Sequence, residues 1–290
     1  MERGHLVRVN RAALANTRLR RSRSVPWGAS LALVAGGSDR ASLRFTFRGL
    51  RSILSPMHNP IIVALDVPTV DKALELAGQL APVVGAFKIG SELFTAAGPD
   101  IVRQIRGTGA AVFLDLKFHD IPNTVAKAVA SATRLDVQML TLHTGGGPAM
   151  MKAAENSAQQ TAAQLKQPAP LVLGVTVLTS MNSEELVAVG LASNVGKQVE
   201  RLATLAADAG LRGLVCSPLE IVALRQFLPA SVQLVTPGIR GPGDAADDQK
   251  RTLSAKEAMA AGANWLVIGR PIYAAENPRA AAEGILESLR

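Results

Sequence analysis

Cysteine and aromatic residues are both scarce in this 290-residue chain, which contains one cysteine, Cys216, and 3% aromatic residues. A single cysteine excludes an internal disulfide framework and any metal site built from several cysteines, and it is typical of an intracellular protein. No second histidine stands at ligand spacing, so we expect no zinc site. The low aromatic content argues against a base-stacking surface for single-stranded nucleic acid.

A dinucleotide-binding fingerprint is also missing. No Gly-x-Gly-x-x-Gly follows the first predicted strand, which ends in Ala64-Leu-Asp66, and this disfavours an open doubly wound sheet. Hydrophobic residues, by contrast, make up 48% of the chain. At this length they can bury a large core, which suits either two ordinary domains or one α/β barrel.

Positive charge is concentrated at the N-terminus. The chain has 31 basic and 23 acidic residues, of which residues 1 to 56 hold eleven arginines and only two acids, Glu2 and Asp39. This leaves 20 basic and 21 acidic residues for residues 57 to 290, so the net charge of +8 arises in the N-terminal segment. The charge therefore predicts no polyanionic partner for the rest of the protein.

Residues 1 to 56 have two interpretations. They are rich in arginine and poor in acids, which is the composition of an organellar transit peptide or of a segment that contacts RNA or lipid. They show no sustained helical periodicity, their apolar run from Ala29 to Gly37 is too short to span a bilayer, and Met57 stands just before the first predicted strand. We expect a disordered or mis-assigned extension, with targeting or binding as the alternative.

From Met57 onward, short apolar runs alternate with helical patterns, as in βαβ units around a parallel sheet. The helical patterns cover Val70 to Leu80, Thr124 to Leu135, Gly196 to Ala209, Ala255 to Ala261 and Pro278 to Leu289. The eight predicted strands are Ile61 to Asp66, Ala86 to Ile89, Ala111 to Lys117, Val137 to His143, Leu171 to Leu178, Gly213 to Ser217, Gln233 to Thr236 and Trp265 to Gly269. This pattern predicts one α/β domain at residues 57 to 290, a (β/α)₈ (TIM) barrel.

Active sites of such barrels lie at the C-terminal ends of the strands. Polar residues terminate most of the predicted strands, namely Asp66, Lys88, Asp115, Lys117, His143, Thr176, Thr179, Thr236, Gly269 and Arg270. In the third strand, alternation places Phe113, Asp115 and Lys117 on one face, with both charges at the open end. We expect Asp66, Lys88, Asp115 and Lys117 to form an alternating row of acids and bases in the barrel mouth.

This charge row has a functional and a structural interpretation. Neighbouring carboxylates favour the ammonium form of Lys117, which would make it an acid and disfavours a Schiff-base mechanism. Asp120 completes an Asp-x-Lys-x-x-Asp motif that suggests a catalytic cluster. The alternative is a salt-bridge network that closes the barrel rim.

Two glycine- and arginine-containing segments follow the last two strands, Thr236-Pro-Gly-Ile-Arg240 and Ile268-Gly-Arg-Pro271. Loops at these positions are the recurrent phosphate site of (β/α)₈ barrels, so we expect Arg240, Gly269 and Arg270 to hold a phosphate. The polar connection from Gly238 to Thr252 is predicted to be a lid that brings Gln249 to the ligand, although its charged run also suits a solvated face.

Three further residues have weaker functional interpretations. His143 suits a proton shuttle or a structural hydrogen bond, and His119 is expected to orient its loop. Cys216 is interpreted as a core thiol because no histidine partner stands nearby in the sequence.

Together these motifs resemble the bacterial type of orotidine 5′-phosphate decarboxylase over Ile61 to Arg290. The matching segments are Lys88-Ile-Gly90, Asp115-Leu-Lys-Phe-His-Asp-Ile-Pro-Asn-Thr124, Val175-Thr-Val-Leu-Thr-Ser180, Thr236-Pro-Gly-Ile-Arg240 with Asp247-Asp-Gln-Lys-Arg251, and Val267-Ile-Gly-Arg-Pro271. The resemblance implies a cofactor-free, cytoplasmic enzyme that converts orotidine 5′-monophosphate to UMP and CO₂, the last step of de novo pyrimidine synthesis.

The resemblance also implies a role for each matching residue. Lys117 would stabilise and protonate the C6 carbanion, with Asp115 beside the substrate carboxylate, and Lys88 and Asp66 near the ribose. Thr179 and Ser180 would contact the pyrimidine, with Thr179 preferred, while Gln249, Gly269, Arg270 and Arg240 serve the phosphate.

Asp120 and Thr124 would reach into the partner's site of a homodimer. The rivals are a Mg²⁺-dependent sugar-phosphate enzyme of a related barrel and, in another class, a basic RNA- or membrane-binding protein acting through residues 1 to 56.

Overall fold

The computed structural model describes residues 59 to 241 and 252 to 290. Within them, eight parallel strands close into a barrel in sequence order, with the first strand paired to the eighth. They are β1 (Ile61–Ala64), β2 (Ala86–Gly90), β3 (Ala111–Phe118), β4 (Met139–His143), β5 (Leu171–Val175), β6 (Gly213–Val215), β7 (Gln233–Thr236) and β8 (Trp265–Ile268). The predicted (β/α)₈ barrel is confirmed, whereas the predicted extension at residues 1 to 56 lies outside the described residues.

Helices follow the strands around the outside of the barrel. They are α1 (Val70–Leu80), α2 (Ser91–Ala97), α3 (Asp100–Gly107), α4 (Pro122–Arg134), α5 (Gly147–Leu165), α6 (Ser183–Ala188), α7 (Val195–Asp208), α8 (Ile221–Arg225), α9 (Ala255–Ala261), α10 (Arg270–Tyr273) and α11 (Pro278–Ser288). The five helices expected from periodicity are present, with bounds that differ by at most two residues. The longest helix, α5, was not among them, because its many alanines and glutamines blur the apolar stripe.

Side-chain caps explain where several helices begin. The Thr69 hydroxyl accepts a hydrogen bond from the Lys72 N–H ahead of α1, at 3.3 Å. Ser254 and Glu257 form a reciprocal capping box at the start of α9. Such caps satisfy backbone N–H groups that have no partner inside the helix. In the described part of the chain, no helix is long and apolar enough to cross a membrane.

Two hydrophobic clusters fix the barrel. The larger one fills the space between the strands and the surrounding helices, and the smaller one fills the barrel interior. At the N-terminal end of the interior, Trp265 donates a hydrogen bond from Nε1 to Oε1 of Gln233, at 2.7 Å. Phe113 is buried in the same interior cluster, on the face of β3 that carries Asp115 one step nearer the mouth. The apolar interior thus gives way to charge at the C-terminal end.

Several strands end earlier than the sequence pattern predicted. β1 ends at Ala64 rather than Asp66, and β5 ends at Val175 rather than Leu178. Just beyond these ends, Leu65 and Thr176 are buried. The residues that follow them, Asp66, Val177 and Leu178, line the cavity at the barrel mouth.

Candidate active site

A cavity of about 680 Å³ opens at the C-terminal end of the barrel. Eight of the predicted site residues line it, which are Asp66, Lys88, Asp115, Lys117, Thr179, Arg240, Gly269 and Arg270. They come from the ends of β1, β2, β3, β5, β7 and β8. Because the closed barrel brings these ends to one rim, residues up to about two hundred positions apart in the chain share one cavity.

An alternating row of charges crosses the floor of this cavity. Lys88 Nζ lies 2.8 Å from Asp66 Oδ1 and 3.8 Å from Asp115 Oδ2, and Lys117 Nζ lies 2.8 Å from the same Asp115 oxygen. The Lys88 and Asp115 side chains are each only 12% exposed. Burial of this kind is costly for a single charge, so the mutual pairing is what makes the arrangement stable.

Gly90 leaves room for the first pair of the row. A Cβ atom at this position would lie 3.1 Å from Lys88 Nζ and 3.3 Å from Asp66 Oδ1. Both distances are tighter than ordinary carbon contacts, so a side chain there would press on the ion pair. The glycine in the Lys88-Ile-Gly90 segment therefore has a physical reason, which is the space that the Lys88–Asp66 ion pair needs.

Lys117 enters the cavity through an irregularity in β3. The β3–β4 register shifts between Leu114 and Phe118, and Lys117 has a left-handed backbone with φ of 51°. Simple alternation did not predict this β-bulge. A non-glycine residue in this region of φ is strained, by about 1–3 kcal/mol, and such strain occurs at sites where it aims a side chain.

Thr141, on the neighbouring strand β4, holds this irregularity in place. Its hydroxyl accepts a hydrogen bond from the Lys117 backbone N–H at 2.9 Å and donates one to Asp115 Oδ1 at 2.9 Å. The residue is fully buried. Thr141 was not among the predicted site residues because it stands inside an apolar strand. Its place on the strand next to Asp115 is the sequence feature that could have indicated a role in the site.

The two arginines reach the cavity from the segments that follow β7 and β8. Gly238 follows β7 with φ of 78°, a conformation that favours glycine. Ile239 and Leu253 form an isolated parallel bridge, and the Arg240 N–H donates to the Leu253 carbonyl at 3.0 Å. This bridge ties together the two ends of the connection predicted to be a lid. Gln249 and the rest of residues 242 to 251 lie outside the described residues.

Three predicted site residues stand apart from the cavity lining. Asp120 and Thr124 are exposed at the start of α4, and the Asp120 carboxylate accepts a hydrogen bond from the Ile121 N–H at 2.6 Å. Ser180 is exposed beyond the end of β5, whereas its neighbour Thr179 lines the cavity. Within one subunit, the Asp-x-Lys-x-x-Asp motif is therefore not a single cluster.

The two histidines contribute to a second cavity, of about 570 Å³, rather than to the first. Their ring centroids are 5.6 Å apart, and His143 is partly buried. Burial lowers the pKa of His143 below its ordinary value of 6.5, and the nearby His119 and Lys117 lower it further, while Asp115 raises it. His143 therefore favours the neutral form in the folded protein.

Cys216 is buried in the core, where its Sγ atom lies 4.0 Å from the Thr236 hydroxyl. The expected core thiol is thus found, although the residue also contributes to the wall of the first cavity. Among the residues that the structure describes, no group of three or more His, Cys, Asp or Glu side chains is placed to hold a metal ion.

Relatives of this chain are similar over nearly their full length. A protein named orotidine 5′-phosphate decarboxylase from Opitutus terrae is 54% identical over 230 residues, which cover 79% of this chain and 98% of the relative. A protein of the same name from Pseudomonas syringae pv. tomato is 50% identical over 236 residues, covering 81% of this chain and 100% of the relative.

A solved structure has the same fold. The crystal structure of orotidine 5′-phosphate decarboxylase from Lactobacillus acidophilus superposes with a TM-score of 0.69 at 34% identity, covering 80% of this chain and 99% of that one. A sequence model described as orotidine 5′-phosphate decarboxylase / HUMPS family matches residues 59–285. The chain belongs to the orotidine 5′-phosphate decarboxylase / HUMPS family.

Proposed function

We propose that this chain is a carboxy-lyase that converts orotidine 5′-monophosphate to UMP and CO₂ without a cofactor, in the pyrimidine biosynthetic pathway. The observation that carries the proposal is the row Asp66, Lys88, Asp115 and Lys117, held within ion-pair distances in a cavity that Arg240 and Arg270 also line. Membership of the family supports the same reaction.

The chemistry requires a cation that is also an acid. Loss of CO₂ from C6 of the pyrimidine leaves a carbanion, which a fixed ammonium group stabilises and then protonates. Lys117 is the lysine that performs both tasks. Its Nζ is already oriented by Asp115 Oδ2 at 2.8 Å, so little reorganisation is needed during the reaction.

The remaining members of the row position the substrate. Asp115 lies beside the substrate carboxylate, where the repulsion between like charges disappears as CO₂ departs. Lys88 holds Asp115 and contacts the ribose, and Asp66 accepts a hydrogen bond from a ribose hydroxyl. Lys88 is well placed for this because it bridges both acids.

Substrate recognition involves residues that follow β5, β7 and β8. Thr179 binds the pyrimidine, with Ser180 as a secondary contact, since Thr179 lines the cavity and Ser180 does not. Gly269 and Arg270 hold the phosphate, with Arg240 and, from the lid, Gln249. Binding energy gained at the phosphate thereby assists chemistry at C6.

The active unit in this proposal is a homodimer. Asp120 and Thr124 are exposed and do not line their own cavity, which supports their assignment to the partner's site. The adjacent Ile121 is 66% exposed, although it is a large apolar residue. Contact with a second copy of the chain would cover it.

The decisive assay is turnover of orotidine 5′-monophosphate in excess chelator. Production of UMP under these conditions supports the proposal and rejects the rival, a Mg²⁺-dependent sugar-phosphate decarboxylase or synthase of the same barrel superfamily. Activity that appears only with Mg²⁺ and a sugar phosphate would establish the rival instead.

We further propose that the enzyme is cytoplasmic and has no nucleic-acid or membrane partner.

A further inference from the structure

Thr141 is a buried polar residue next to the charge row, and the proposed mechanism gives it no task. It stands in the middle of β4 and is 0% exposed. Its one hydroxyl contacts two separate parts of the site, the Lys117 backbone N–H and the Asp115 carboxylate, both at 2.9 Å. A hydroxyl has one donor hydrogen and two acceptor lone pairs, so one group can make both contacts.

The contact with Lys117 replaces a lost strand pairing. On β3 and β4, Leu114 pairs with Leu140, but Leu142 pairs with Phe118, so two extra residues of β3 lie within the bulge. An N–H displaced from a strand ladder in a buried setting needs another acceptor. The Thr141 hydroxyl is that acceptor for Lys117, at the residue whose φ is 51°.

The contact with Asp115 completes the orientation of its carboxylate. Oδ2 faces Lys117 Nζ at 2.8 Å and Lys88 Nζ at 3.8 Å, while Oδ1 accepts from Thr141. With both oxygens engaged, the carboxylate plane is fixed relative to the strand. The same hydroxyl therefore sets the position of the Asp115 carboxylate and of the backbone that carries Lys117.

We infer that Thr141 is a positioning residue for the decarboxylation, which holds Lys117 and Asp115 in one geometry through a single hydroxyl. This inference rests on the proposed function. It differs from an ordinary structural role because removal of the hydroxyl should slow the chemical step beyond any loss of stability, while UMP binding is retained. Small displacements of a proton donor are enough to slow such a step.

Thr141→Val tests the inference, because valine has nearly the same shape and no hydroxyl. We expect kcat to fall about 10- to 100-fold, because a buried N–H and a carboxylate oxygen lose their partner. The Kd for UMP should stay within about threefold of the wild-type value. Thr141→Ser restores the hydroxyl and should bring kcat back to within about threefold of wild type.

Thr133→Val is the matched control. Thr133 is also fully buried, and its hydroxyl donates to the Val129 carbonyl within α4 at 2.8 Å, away from the cavity. This variant removes a buried hydroxyl without touching the site, so its kcat should remain at the wild-type level. The melting temperatures of both valine variants show how much of any loss comes from stability alone.

A second readout does not depend on turnover. Hydrogen exchange of the Lys117 amide, followed by NMR, should be at least about tenfold faster in Thr141→Val than in the wild type and in Thr141→Ser. Unchanged exchange, unchanged kcat, or an equal loss of kcat in Thr133→Val would each overturn the inference. If the wild-type protein fails to convert orotidine 5′-monophosphate, the proposed function falls, and the amide exchange alone decides whether Thr141 holds Lys117.

Discussion

Lys117 Nζ lies 2.8 Å from Oδ2 of Asp115, although the two residues are separated by a single position on the same strand. In a regular strand, side chains two residues apart point the same way but their Cα atoms are about 6.5–7 Å apart. The Lys117 side chain spans this separation from a left-handed backbone, at the register shift between β3 and β4. The central ion pair of the site therefore lies at a backbone irregularity.

Replacement of Lys117 tests its assignment as the proton donor. Lys117→Ala should fold and still bind UMP, but it should lose turnover by about 10⁴-fold or more, because it lacks both the cation and the acid. Lys117→Arg keeps the charge and should also be nearly inactive, since a guanidinium does not give up its proton. Steady-state kinetics and UMP titration measure both effects. Near-normal turnover of either variant would reject the assignment.

Mixing of inactive subunits tests the assignment of Asp120 to the partner's site. Lys117→Ala and Asp120→Ala should each be nearly inactive as homodimers. In a mixed dimer, one of the two sites would contain neither substitution, so random reassembly should restore about a quarter of wild-type activity. The measurement is turnover after joint unfolding and refolding of the two proteins. An absence of recovery, with dimers present, would place Asp120 in its own subunit's site.

Arg270 should contribute to turnover only through its contact with the substrate phosphate. Arg270→Ala is expected to lower kcat/KM for orotidine 5′-monophosphate by about 10²-fold, because a charge-assisted phosphate contact is lost. Its activity towards orotidine, which lacks the phosphate, should match that of the wild-type enzyme. An equal loss with both substrates would show that Arg270 acts on the barrel mouth rather than on the phosphate.

His143 should make the folded protein sensitive to acid. Its pKa in the folded state is lowered from 6.5 by burial and then by His119 and Lys117. As the pH falls below that value, the unfolded chain binds the proton first, so stability decreases until the folded-state pKa is reached. Between about pH 7.5 and about pH 5.5, the melting temperature of His143→Gln should therefore fall by less than that of the wild-type protein. A larger fall in melting temperature for the variant would contradict the lowered pKa of His143.

Removal of residues 1 to 56 tests the interpretation of the basic segment. A shortened protein that begins at Met57 should retain full decarboxylase activity, because the described residues that line the cavity lie beyond this point. Turnover and UMP affinity of the two proteins provide the comparison. A large loss of turnover, or binding to RNA or anionic vesicles that disappears on shortening, would favour the alternative role. Mass spectrometry of the native N-terminus would show whether the segment is present in the cell.

Periodicity in the sequence was sufficient to predict the barrel but not the ends of its strands. All eight strands were found, and β7 has its predicted bounds, since burial on both faces leaves continuous apolar runs. The ends of β1 and β5 were predicted too late, because hydrophobic residues such as Leu65 and Val177 continue past the last residue of each strand. Helix α5 was missed because alanine, which is common on both of its faces, carries little periodic signal.

The sequence by itself determined the fold, the strand ends that carry polar residues and the pairing of acids with bases, because each of these follows from a local pattern of residue types. Tertiary structure alone decided the distances and the exceptions. The pairing of β2 with β1 and with β3 set the distances from Lys88 to Asp66 and Asp115, whereas Asp120 is exposed ahead of α4. Tertiary structure also recruited Thr141, whose role depends on a register shift between two strands that no single-strand pattern contains.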